Sequence, residues 1–221
     1  MDKAKELIKT CLYIGSGQLA IQNLELTELP LIPYSVKDLW CWGNNLEKLH
    51  NLPPTLELLS CSFNPLIQLP SILPSTLEYL ICHSCKLTFL PGNLPNLQVL
   101  LCYNNQLTKI PIYPSLTILN CEGNKLVSLC ELPDTLHTLY CKDNPYLYIS
   151  EDIAKRFDRI ETPNYSQIFQ FFKQIHSSQK RKNKLLFCED LQSQIDEFRY
   201  RPTGAGCIEI KQRNKGKWID T

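Results

Sequence analysis

The sequence predicts an α/β repeat solenoid: short parallel strands stacked side by side, an extended return path, a helical N-terminal cap and a helical C-terminal tail. Three observations carry this expectation. A pattern of about twenty residues recurs from residue 19 to about residue 149, and a fixed period of that kind marks a repeat architecture. Within the pattern a cysteine returns at one place, as Cys41, Cys61, Cys82, Cys102, Cys121 and Cys141, in steps of 20, 21, 20, 19 and 20 residues. The linking segments "LPPTL", "LPSTL", "LPNL" and "LPDTL" hold prolines, which favour an extended or polyproline-like path over a helix.

A solenoid exposes its end layers unless something covers them. Residues 1–18 are read as the N-terminal cap. In "DKAKELIKTCLYI" the apolar residues Leu7, Ile8, Cys11 and Leu12 fall on one side of a helix, and "GSG" breaks it. The charges in the first nine residues leave no apolar core of signal-peptide length. No stretch approaches the roughly 18 apolar residues that span a bilayer. The expectation is a cytoplasmic protein, with no membrane contact and with reduced thiols. The odd count of eleven cysteines points the same way.

Residues 19–149 hold about seven repeats. Aligned on the cysteine they read "VKDLWCWGNNLEKLH", "LELLSCSFNPLIQLP", "LEYLICHSCKLTFLP", "LQVLLCYNNQLTKIP", "LTILNCEGNKLVSLC" and "LHTLYCKDNPYLYI", after a worn copy with Ile21 in the cysteine place. Side chains alternate across a strand, so Leu59 and Cys61 point into the stack together, with Leu56 and Leu66 closing the layer. The asparagines Asn44, Asn64, Asn105, Asn124 and Asn144 come where the chain leaves the strand. Their amides are suited to the backbone groups a buried turn leaves over. Cys85 stands in that place in the fourth repeat, so that rung is expected to be weaker.

These repeats resemble the leucine-rich repeat family, whose pattern L-x-x-L-x-L-x-x-N-x-L is met here with cysteine in the third leucine slot. The "LPxxL" links resemble the short, twenty-residue class known from bacterial effectors and giant viruses. The resemblance implies a horseshoe with its strands on the concave face and a role in binding other proteins.

On this reading the cysteine is a small buried hydrophobe. Sharper chemistry is the alternative at two places. Cys82 and Cys85 form a C-x-x-C around His83, but both places are set by the repeat and no second pair exists, so no metal and no cofactor is expected. "FCEDL" places Cys188 in a Cys-x-Asp run similar to that of cysteine ubiquitin ligases attached to bacterial leucine-rich effectors. Only about seventy residues follow the repeats, and nothing ties His176 to Cys188 as a base. The plainer reading puts Phe187, Cys188, Leu191 and Ile195 on one helix face. No catalytic residue is expected, and the chain is read as non-enzymatic.

Near residue 150 the composition changes. Residues 1–149 carry nine lysines and no arginine against twelve acids, while all six arginines follow residue 155. Residues 150–221 are read as a basic, helical C-terminal cap or tail, with Ile168, Phe171, Phe172 and Ile175 at helical spacing. Lys180, Arg181, Lys182 and Lys184 form a basic run able to meet nucleic acid or an acidic surface, but the plainer reading is a solvated helix end and a solubilising tail, and nucleic acid is not the expected partner. The closing "YRPTGAGCIEIKQRNKGKW" is similar to an ending found on giant-virus proteins of the marseillevirus kind. That resemblance implies a minor capsid or assembly component of a virion, with virion or host proteins as partners.

Function is expected on the outward strand positions. The central column reads Ala20, Trp40, Ser60, Ile81, Leu101, Asn120 and Tyr140, and the next reads Gln22, Trp42, Ser62, His83, Tyr103, Glu122 and Lys142. Tyr79 lies in the column before them. So many aromatic residues on a surface meant to face water predict a protein-binding patch. Its candidate contacts are Trp40, Trp42, Tyr79, Ile81, His83, Leu101, Tyr103, Tyr140 and Lys142.

Overall fold

The computed structural model describes residues 2–129 and 131–148, together with Ile153 and Phe157. All of them fall within one compact unit, residues 1–160. The proposed domain limits at 150 and beyond, the helical readings around Phe171 and Phe187, Cys188 and the basic run 180–184 lie outside the described residues.

The chain opens with a helix, α1 (Asp2–Ile14), followed by seven three-residue strands: β1 (Gln18–Ala20), β2 (Asp38–Trp40), β3 (Leu58–Ser60), β4 (Tyr79–Ile81), β5 (Val99–Leu101), β6 (Ile118–Asn120) and β7 (Thr138–Tyr140). They form one parallel sheet in chain order. Register is exact from rung to rung, with Leu39 opposite Leu59, Leu59 opposite Leu80, and Leu80 opposite Leu100. The solenoid expected from the twenty-residue period is therefore present.

Each strand continues past its three residues. The cysteine that follows donates its N–H to the next rung, as from Cys61 to the Ile81 carbonyl and from Cys82 to that of Leu101. Two residues after the cysteine the backbone turns left-handed, at Gly43, Phe63, Ser84, Asn104, Gly123 and Asp143. That corner recurs even where the residue is bulky, because its N–H also reaches the next rung. At Gly43 the left-handed φ favours glycine, and a Cβ there would displace the Asn23 side-chain amide.

The asparagines occupy the corner as expected. Asn105 Oδ1 accepts from the Leu87 N–H, and its Nδ2 donates to the carbonyls of Cys82, Cys102 and Tyr103. Asn44, Asn64, Asn124 and Asn144 do the same work one period away. In the fourth repeat the Cys85 thiol reaches only the Cys61 and His83 carbonyls, at 3.6 and 3.5 Å. It offers no equivalent acceptor to Leu66, whose N–H makes none of the described hydrogen bonds.

The return path has no helix. Each "LPxxL" is a tight turn, in which the leucine N–H closes on a carbonyl three residues earlier, as from Leu56 to Pro53. A feature unread in the sequence stitches these turns together. Thr55, Thr76 and Thr135 each donate a hydroxyl to two carbonyls of the preceding repeat, at 2.6 to 3.3 Å. The threonine of "LP-x-TL" was the available signal.

The core is a continuous column of leucines, with Ile21, Cys41, Cys61, Cys82, Cys102 and Cys121 among them at full burial. Helix α1 covers its first layer with Ala4 and Cys11 buried and Leu7 and Ile8 packed against it. Leu12 was expected on that face and instead stands half exposed. Eight positions from Ala4, the 3.6-residue period has carried it round to the rim. Gly15, left-handed, ends the helix by donating to the Cys11 carbonyl. At the other end Ile153 and Phe157, both helical, pack against the same core.

Candidate functional site

The outward columns form on adjacent strands as the alternation requires. Trp40 lies in register with Ala20 and Ser60, Ser60 with Ile81, Leu101 with Asn120, and Asn120 with Tyr140. The sheet thus brings Trp40, Trp42, Tyr79, Ile81, His83, Leu101, Tyr103 and Tyr140 onto one face, and adds the exposed Lys142 at its last rung.

One expectation about this face is corrected. It was to stand open to water, but Trp40 and Trp42 are only 4% and 3% exposed, and Tyr79, Ile81, His83, Leu101, Tyr103 and Tyr140 are buried too. Part of the reason is register. Rungs about 4.8 Å apart let a bulky side chain close over a small neighbour, and rings close on each other. The His83 and Tyr103 rings stack with centroids 4.1 Å apart and planes 7° from parallel, while Phe63 meets His83 edge-on at 4.9 Å.

Polar groups on the face divide into satisfied and unsatisfied. Asn120 Oδ1 accepts from the Glu122 N–H at 3.1 Å, and His83 Nδ1 lies 3.3 Å from the Ser84 hydroxyl. Ser60 Oγ, Ser62 Oγ and Asn120 Nδ2 have no hydrogen-bond partner among the described residues, although Ser60 and Ser62 are 0% exposed and Asn120 1%. Sequence reasoning placed these residues in the columns and did not single them out. Small or polar residues between aromatic rungs were the available signal.

Acids gather at the leading end of β2–β4. Asp38 accepts from Gln18 Nε2 at 3.0 Å, and Glu57 pairs with Lys37 at 2.7 Å. Burial pushes the Asp38 carboxyl up to about 6, against the hydrogen bond from Gln18, and the charges of Glu57 and Glu78 push it further the same way. Glu78 is raised by burial and by Glu57.

The inward thiols are poor nucleophiles. Burial raises those of Cys61, Cys82, Cys102 and Cys121 well above the ordinary range, and lifts that of Cys85 to about 11. The eight described cysteines are free thiols. Among the described residues no cluster of His, Cys, Asp and Glu is arranged to hold a metal, and no helix is long and apolar enough to cross a membrane.

Residues 95–134 match a family model described as Leucine Rich repeats (2 copies). Among solved structures the chain is similar to the leucine-rich-repeat domain of a Shigella effector, at 32% identity and a TM-score of 0.55, over 60% of this chain and 59% of that one. It is similar to the leucine-rich effector YopM of Yersinia pestis, at 26% identity and a TM-score of 0.54, over 66% and 52%. A leucine-rich-repeat protein of Leptospira interrogans gives 26% identity and a TM-score of 0.51, over 66% and 44%. The chain thus spans less than two thirds of each of these relatives. No curated protein matches it. The repeats are leucine-rich repeats like those of bacterial effectors, and the giant-virus resemblance has no counterpart among these structures.

Proposed function

We propose that the protein is a non-enzymatic, cytoplasmic interaction scaffold that binds a protein partner through the strand face running from Trp40 to Tyr140. The leucine-rich-repeat fold supports the scaffold reading, because it stacks short strands into one continuous binding face. The observation that carries the choice of face is its composition. Two tryptophans and three tyrosines (Tyr79, Tyr103 and Tyr140) crowd a seven-strand sheet whose core needs none of them. Such residues are the preferred anchors of protein interfaces. The raised thiols of the inner column favour no covalent chemistry there.

A virion or assembly role rests on the closing stretch "YRPTGAGC" together with the short cysteine-bearing repeats, and the ligase alternative rests on Cys188.

The test is affinity capture from the native source with the full chain, comparing wild type with Trp40→Ala/Trp42→Ala, each checked for folding by circular dichroism. A partner set held by wild type and lost by the folded double variant supports the face. The same set held by both overturns it.

A further inference from the structure

Among the unpartnered buried polar atoms of the strand face, which include Gln22 Oε1, three sit on residues that are themselves fully buried. Ser60 Oγ, Ser62 Oγ and Asn120 Nδ2 are at least 99% buried and unpartnered among the described residues. A buried donor or acceptor without a partner is destabilising, so these three on one face point to something that pairs with them.

Their placement narrows what that is. Ser60 and Asn120 share the central column, three rungs apart through Ile81 and Leu101. At about 4.8 Å per rung they are separated by roughly 14 Å. An extended chain covers that length in about four residues and keeps its own N–H and C=O groups free to bond. A helix across the same rungs has its backbone groups already used.

Side chains supply the rest of the description. Ile81 and Leu101 make the stretch between the two polar points apolar, and Trp40 and Tyr140 bound it. At the Trp40 end Asp38, Glu57 and Glu78 gather negative charge, countered among the described groups that act on Asp38 by Lys37 alone. A cation there meets carboxylates.

We infer, building on the strand-face reading, that the face takes an extended peptide segment of a protein partner, apolar over Ile81 and Leu101 and carrying an arginine or lysine at the Asp38 end. Its backbone pairs with Ser60, Ser62 and Asn120. Because these atoms are buried in the free chain, side chains must move aside for the segment to enter. Association is therefore slower than the 10⁵–10⁶ M⁻¹s⁻¹ or so of an unsteered encounter.

The experiment selects a displayed library of random linear 12-residue peptides on the full chain. The best binder is then synthesised and titrated against wild type, Ser60→Ala/Ser62→Ala, Asn120→Ala, Asp38→Asn and Trp40→Ala/Trp42→Ala. The expected peptide carries arginine or lysine beside an apolar stretch. It binds about tenfold more weakly to the serine double variant and to Asp38→Asn, and Asp38→Asn loses its effect when the peptide's cation is replaced by alanine. The serine variants are expected to be more stable than wild type, so weaker binding does not come from unfolding. If only the tryptophan variant weakens binding, or the selected peptides are helical, the extended-segment inference is overturned and the strand-face reading stands. Binding indifferent to every variant overturns both. If no peptide is enriched over bare support, the inference is overturned, and the capture experiment alone decides the strand-face reading.

Discussion

The two faces of the same seven strands are built on opposite plans. Inward, each rung offers the same side chains: Leu39, Leu59, Leu80, Leu100 and Leu119 form one column, and the cysteines form the next. Outward, no two successive rungs agree, as Trp40, Ser60, Ile81, Leu101, Asn120 and Tyr140 show. The inward face satisfies its polar neighbours through a repeating asparagine, whereas the outward face leaves Ser60, Ser62 and Asn120 unsatisfied. Stacking constrains the first, since a wrong volume at any rung disturbs two neighbours. The second is free to vary, and it holds the buried polar atoms on which the proposed peptide contact rests.

The sharpest way to break this contrast is at the inner corner. Asn105→Ala removes four hydrogen bonds and strands several buried backbone groups. A loss of about 3–5 kcal/mol is expected by chemical denaturation. Leu80→Ala, fully buried one repeat earlier, is expected to cost about 2–5 kcal/mol in the same assay. A loss below 1 kcal/mol for either would show that the inner face is not what holds the stack.

Asp38 gives a pH test on the outer face. Its folded value, about 6, lies above the ordinary 3.8, so the native state holds its proton more tightly than the unfolded chain does. The destabilisation is therefore full above about pH 6 and fades as pH falls toward 4, by at most about 3 kcal/mol. Asp38→Asn should flatten the stability profile across that window in pH-dependent melting. An unchanged slope would deny Asp38 that role.

Ser60→Ala/Ser62→Ala removes unpaired buried hydroxyls and should raise stability by about 1–3 kcal/mol, seen as a higher Tm. An equal or lower Tm would show that the hydroxyls are paired in solution. The smallest effect belongs to the irregular rung. Cys85→Asn restores the acceptor that Leu66 lacks and should add about 1 kcal/mol. The same change at Cys82, inside the core, should destabilise strongly. If Cys85→Asn lowers Tm, the corner has adapted to the thiol.

Much of this was legible in the chain before folding. The asparagine corner, the inward cysteine and the helix-free return follow from spacing and from proline, because each is decided within one repeat. The altered corner at Cys85 was legible for the same reason. Leu12 was misplaced because a helix of thirteen residues drifts past the face that its first turns define. The threonine stitches went unread because each hydroxyl bonds a carbonyl about twenty residues earlier.

By itself, then, the sequence determined the period, the strand positions and which side chains point inward, since alternation and repetition are properties of the chain alone. Only the tertiary structure decided how deeply the outward residues are buried, which of their polar atoms find partners and how far Asp38 is moved from its ordinary acidity. Those quantities depend on what lies one rung away in space and twenty residues away in the chain. Distance along the sequence does not carry that information; register does.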